Sequence, residues 1–268
     1  MEKSAFRLVG VLHLPPLPGA FNYEGRAVRD IAEVAAQDAI VLAEAGFTHI
    51  MIQDASDNPQ PIRAAIPTIA ALSVVGARVA DAVGIPVGVV VGHNDGPAAV
   101  AIAHSIEARF VRVKVLTGVS AGPSGFIEGC SVEVAAMKRL LGSTVEVWAD
   151  AHEATSVSLA GSREWAAREA LAFGGAHAII VTEDGGVHVA LQSVAALRSA
   201  LPTDTPILIG GRATLVTMSA VIDGSDGVII GSALKDSNGY DARVDPRTAA
   251  QFGHTRRQGL STRQGTAV

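Results

Sequence analysis

Eight short apolar runs rich in β-branched residues recur along this chain, each separated from the next by a longer stretch with helical patterning. That alternation constrains the fold more than any other feature. The strand-like runs are Leu8–Leu12, His49–Gln53, Pro86–Val91, Phe110–Val115, Val145–Ala149, Ala178–Thr182, Ile207–Ile209 and Gly227–Ile230. The helical patterns are Val28–Ala45, Pro67–Val83, Pro97–Ser105, Val132–Leu141, Arg163–Phe173, Val189–Ala200 and Leu215–Ile222. Strands alternating with helices give either a closed parallel barrel or a long doubly wound sheet. The count of eight, and the lack of a Gly-x-Gly-x-x-Gly opening the first helix, favour a single (β/α)8 TIM barrel. Local signals agree: Gly46 stops the first helix, and Asp95 caps the third ahead of Pro97. No composition shift marks a domain boundary, so residues 1–252 are expected to form one barrel. Residues 253–268 are polar and short of large apolar side chains, and are expected to be a frayed, disordered tail.

Composition excludes several classes of function. Charged residues are only 18% of the chain, the net charge is −5 and aromatics are 4%. No basic run is dense enough to track a nucleic-acid backbone, so nucleic acid is not an expected partner. No apolar run approaches the ~18 residues that a membrane helix needs, and the start of the chain does not read as a signal peptide. The lone Cys130 forbids an internal disulfide and fits a reducing, cytoplasmic location. With no motif around it, Cys130 reads as inert rather than nucleophilic.

Two glycine-bearing loops close the strand series: Gly210-Gly211-Arg212 and Gly231-Ser232-Ala233. In a barrel, the last two strand–loop units hold phosphate in this way, because small residues let backbone N–H groups approach an anion. One such loop would read as a tight turn; two at the end of the series point to a phosphorylated small-molecule ligand. Arg212 is a candidate second contact.

Strand alternation aims polar residues at the barrel mouth. In the fourth strand Val111, Val113 and Val115 face the helices, so Arg112 and Lys114 point inward. An inward lysine is costly unless paired or used. It is a candidate base, imine-forming nucleophile or electrostatic stabiliser, with a salt bridge to Asp150 as the structural alternative. Trp148, Asp150 and His152 share one face of the fifth strand, and Asp150 with His152 is the strongest candidate acid–base pair. His13 ends the first strand and Asp54 the second. Their structural alternatives are a turn hydrogen bond and an Asx turn. Asn94 is a candidate substrate contact, and Glu128 a candidate catalytic carboxylate on a long glycine-rich loop, 117–129, which can serve as a lid. These N and O groups are compatible with a divalent metal, but no metal-binding spacing supports one, and the sequence names no cofactor.

With those residues in view, the chain resembles the BtpA family. The resemblance runs from about Leu8 to Phe252. It rests on the segment 9–19 (VGVLHLPPLPG), Asp38-Ala39, Glu44-Ala45-Gly46, the segment 112–118 (RVKVLTG), Ile127-Glu128-Gly129, the segment 148–152 (WADAH) and the segment 231–235 (GSALK). It implies a (β/α)8 fold, and the family's name comes from a role in photosystem I accumulation. His13, Arg112, Glu128, Asp150, His152, Gly231 and Ser232 match the pattern. Three positions depart: Gln53-Asp54 stands where Glu-Asn is usual, Lys114 where Asn is usual, and Glu153-Ala154 where a Lys-His pair is usual.

The resulting expectation is an enzyme of isomerase, aldolase or lyase type acting on a phosphorylated, sugar-phosphate-like metabolite. Barrels of this kind often form homo-oligomers. The family name suggests the alternative of a non-catalytic assembly factor. A flavin-binding barrel would use the same phosphate loops.

Overall fold

Each apolar run of the sequence becomes a strand buried on both faces, and each amphipathic stretch becomes a helix covering the outside. The computed structural model describes residues 6–239 and 242–265. In chain order the elements are β1 (Arg7–His13), α1 (Val28–Ala45), β2 (His49–Gln53), α2 (Ile66–Ala82), β3 (Val87–Val90), α3 (Gly96–Ser105) and β4 (Phe110–Val113). Then come β5 (Val119–Gly122), β6 (Gly125–Glu128), α4 (Ser131–Leu141), β7 (Glu146–Asp150), β8 (Val157–Ser158), α5 (Arg163–Ala172) and β9 (Ala178–Val181). The series ends with α6 (Val187–Ala200), β10 (Ile207–Gly210), α7 (Met218–Gly224), β11 (Gly227–Ile230), a 3₁₀ turn at Ser232–Leu234 and α8 (Pro246–Gly265).

Eight strands close a barrel in the order β1-β11-β10-β9-β7-β4-β3-β2. Every pairing in it is parallel, and β1 closes the ring by pairing Arg7–Gly10 with Gly227–Ile230. The expected (β/α)8 fold is therefore present. The helices bury their apolar stripes against the outward strand positions, among them Val111, Val113, Val147 and Ile179. A separate interior plug holds Val9, Val11, Met51, Val90, Phe110, Trp148, Ala178, Ile180, Leu208 and Ile229. Phe110 stacks on Trp148 with ring centroids 3.8 Å apart. Arg7 covers the indole at 5.1 Å, and Trp148 donates its Nε1–H to Glu146 at 3.1 Å. Gly88 makes the stack fit, because a Cβ there would collide with the Phe110 ring.

Two parts of the chain differ from expectation. The glycine-rich loop after β4 is ordered as a hairpin, β5 and β6, which pairs with β8 into a small antiparallel sheet of order β6-β5-β8 beside the mouth. The supposed tail from Gly253 continues α8 to Gly265, across the boundary drawn at residue 252. Its polar sequence hid the reason, which is close backbone docking rather than an apolar stripe. A Cβ at Gly253 would collide with the Ala45 carbonyl, Arg256 donates to the Phe6 carbonyl at 3.2 Å, and Ala249 and Phe252 are buried. Among the described residues, no helix is long and apolar enough to cross a membrane.

Candidate active site

The C-terminal ends of the barrel strands open on a cavity of about 350 Å³ whose lining includes His13, Gln53, Arg112, Gly210, Gly211, Arg212, Gly231 and Ser232. This is the end at which (β/α)8 enzymes place their chemistry. The two glycine loops, separated by α7 in sequence, form one wall. Gly211 sits at φ +84° and Arg212 at φ +58°, so the backbone turns sharply there. Gly231 lies against the imidazole of His13: a Cβ on it would come within 2.6 Å of Cε1. The Gly211 N–H is not available to a ligand, since it donates to the Ile229 carbonyl at 3.1 Å. Arg212 reaches outward to Asp184 at 2.9 Å, in solvent.

Arg112 and Asp150 meet inside the barrel as alternation requires. The guanidinium donates from Nε and one terminal nitrogen to the two carboxylate oxygens, at 2.8 and 2.7 Å. Burial raises the Asp150 carboxyl from its ordinary value, opposed by Arg112. Burial also works against the Arg112 charge, but Asp150 outweighs it and holds the proton on the guanidinium. Arg112 engages both Asp150 oxygens, and among the described residues no hydrogen bond joins Asp150 to His152, whose Nε2 has no partner. The strand ends at Asp150, so its alternation no longer governs the loop. His152 instead sits in the field of Arg163, Glu164 and Glu183; burial comes first and Arg163 next in lowering its pKa. Its carbonyl accepts from the Thr182 hydroxyl at 2.8 Å.

Lys114 is largely buried, its side chain 10% exposed, and its nearest carboxylate is Glu153, with Nζ 4.0 Å from Oε1, not Asp150. Burial, then Arg112, lowers the Lys114 pKa against the pull of Glu153, Asp150 and Asp54. Burial acts to raise Glu153, but His93, Thr155 and Lys114 overcome it and bring the carboxyl to about 2. Thr155 fixes that carboxylate with its amide at 2.9 Å and its hydroxyl at 2.6 Å. His93 Nε2 lies 3.9 Å from Glu153 Oε2 and has no hydrogen-bond partner among the described residues. Asp54 is pushed up to about 7, first by burial, while both its oxygens accept from the Gly92 N–H at 2.9 Å. Burial, then Lys235, Arg112 and Lys114, lowers His13 to about 4, so this imidazole is neutral at pH 7.

Two candidates leave the site. The Asn94 amide is consumed by structure: Nδ2 donates to the carbonyls of Val115 at 2.8 Å and Glu128 at 3.2 Å, and Oδ1 accepts from the Val115 N–H at 2.9 Å. It ties the end of β3 to the end of β4. Glu128 is exposed on β6, and it is its carbonyl that takes part in this tie. His93, with Asn94, is a weak candidate from its place at the end of the third strand, whereas Glu153 and Gln53 are not sequence candidates, although both stand at departures from the family pattern. Cys130 is buried, and burial raises its thiol to about 11, consistent with an inert role. Among the described residues, no group of three or more His, Cys, Asp or Glu is arranged to hold a metal.

Comparison with known proteins places this geometry in context. The model of the BtpA family matches residues 4–257. An uncharacterized protein of Pyrococcus horikoshii is 37% identical over 85% of this chain and 87% of its own length. The photosystem I biogenesis protein BtpA of Synechocystis is 31% identical over 96% of this chain and 90% of its own. Among solved structures, a chain of tryptophan synthase from Mycobacterium tuberculosis superposes with a TM-score of 0.61 at 16% identity, covering 94% of this chain and 93% of that one. A phosphoribosyl anthranilate isomerase from Thermococcus kodakaraensis gives 0.57 at 12% identity, covering 94% and 99%. At those identities the structural likeness is one of fold.

Proposed function

The chain belongs to the BtpA family, and from that premise we propose that it is an enzyme acting on a phosphorylated small molecule by isomerase, aldolase or lyase chemistry at the barrel mouth. One observation carries the reading: a single cavity is lined both by the two glycine loops and by Arg112, which Asp150 holds through two hydrogen bonds. The phosphate rests on the amides following Gly211 and Gly231, with the Ser232 hydroxyl and with Arg112 held in place by Asp150. Lys114, anchored near Glu153, stabilises negative charge developing on the reacting carbon skeleton. Asp54, poised near neutrality, is the leading proton-transfer group, and neutral His13 is a second. The name of the phosphoribosyl anthranilate isomerase shows that this fold accommodates a phosphorylated substrate in at least one neighbour. A buried, unpaired Cys130 supports a cytoplasmic setting.

The test is thermal unfolding against a panel of sugar phosphates and inorganic phosphate. A ligand at 100 times its Kd stabilises by about 2.7 kcal/mol. Ser232→Asp, which places a carboxylate in the cavity, is expected to remove the shift; it is preferable to a change at Gly231, where a side chain strikes His13. No shift with any phosphate ester, or a shift that survives Ser232→Asp, contradicts the reading.

A non-catalytic assembly role is the second reading. It is supported by the name of the Synechocystis relative and by the small sheet beside the mouth, where Phe126 and Val157 flank Ala121 in register and are each 69% exposed. Loss of function in Lys114→Met with the fold intact favours the enzyme.

A further inference from the structure

A second cavity, of about 570 Å³, lies between α1 and the segment leading from the 3₁₀ turn to α8. It meets the phosphate cavity at one residue, His13, which lines both. Its size falls within the range of small-molecule pockets, roughly 300–1,000 Å³. The walls are chemically divided. Leu12, Leu14, Pro15, Ile31 and Val34 supply an apolar surface, while Arg26, Lys235 and Arg243 supply three cations.

Among the described residues one acid lines this cavity, Asp38, and it is already engaged. Its Oδ1 accepts from Arg243 Nε at 2.8 Å, and its Oδ2 from the Val244 N–H at 3.3 Å. Among the described lining residues cations outnumber acids. Lys235 is part-buried and gives its ammonium to a neutral acceptor, the Ala242 carbonyl, at 2.8 Å. Burial lowers its pKa against the pull of Asp38 and Asp236, the cost of a charge held away from water. An anion arriving beside it would offset that cost, and an apolar body attached to the anion would cover the aliphatic wall.

We infer that this cavity is a binding site for a small amphiphilic anion, an apolar chain or ring bearing one carboxylate, with Lys235 as its main charged contact. The site adjoins the phosphate loops at His13, but phosphate binding there is not required for it. Hexanoate is a suitable probe, with 1-hexanol as its uncharged counterpart, each titrated calorimetrically into the intact protein. Hexanoate is expected to bind saturably and at least tenfold more tightly than 1-hexanol. Lys235→Met should weaken hexanoate at least tenfold and leave 1-hexanol within about threefold. Val34→Trp, at a half-buried position on the wall, should block both, with far-ultraviolet circular dichroism confirming that each variant is folded. Lack of saturable hexanoate binding, equal affinity for the alcohol, or binding indifferent to both substitutions overturns the assignment.

Discussion

The two ends of the barrel interior are built from the same strands and behave in opposite ways. At the start of β4 and in mid-β7, Phe110 and Trp148 stack at 3.8 Å and fill the interior. Two residues on, still facing inward, the same strands carry Arg112 and Asp150, and then Lys114 with Glu153 nearby. Filling with aromatics is how a chain stabilises a barrel. Burying ion pairs is not, since the desolvation of both partners cancels most of the attraction. The lower end therefore serves the fold, and the charged end is the part that the proposed function assigns to a ligand.

The contrast can be broken at its aromatic end with the largest effect. Trp148→Ala should cost about 3–5 kcal/mol in denaturant unfolding, as large-to-small changes in a packed core do, while turnover per folded molecule is kept. Turnover lost without a stability loss would show that the plug is part of the chemistry. A pH titration probes the charged end. Asp54 titrates at about 7 in the folded protein against an ordinary 3.8, so the folded state holds a proton that the unfolded chain releases. Its contribution is present below 3.8 and is lost as pH rises to about 7. His13 and His49 act in the opposite sense: both fall from 6.5 to about 4, so their contribution is lost as pH drops through that window. The comparison that isolates Asp54 is wild type against Asp54→Asn. Between pH 4 and pH 8 the wild type should lose about 2–4 kcal/mol relative to the variant, at 1.36 kcal/mol per unit. Parallel pH profiles would mean that Asp54 titrates normally. The smallest stability effect belongs to the double change Arg112→Met with Asp150→Leu. Replacing a buried pair by apolar residues is often near neutral, so unfolding should be little altered while phosphate-ester binding and turnover vanish. Retained function in that variant would reduce the charged end to a structural accident.

The same contrast explains what the sequence made legible. Buried parallel strands are runs of Val, Ile and Leu, so all eight barrel strands stood out, and α1 is bounded by its pattern residue for residue. Alternation also placed Arg112, Lys114 and Asp150 correctly, because it holds wherever the chain is extended. It fails where the strand stops. His152 follows Asp150 by two, but the chain has turned toward α5, and Glu153, invisible to alternation, is the carboxylate nearest Lys114. Asn94 reads as a ligand contact because a polar side chain at a strand end has no local signature of the backbone groups it will meet at the end of the neighbouring strand. The hairpin β5–β6 reads as a loop in the sequence because its glycines carry little strand pattern and β8 offers only two residues to pair with it. Helix α8 was missed because its anchors are close backbone approach and arginine–carbonyl bonds, which leave no apolar stripe.

A crystal structure with a bound sugar phosphate tests the central claim most directly. The account predicts the phosphate group within hydrogen-bond distance of Arg112 and of the amides after Gly211 and Gly231, with the sugar carbons turned toward Lys114. Phosphate held elsewhere, or a sugar directed away from Lys114 into solvent, would contradict it.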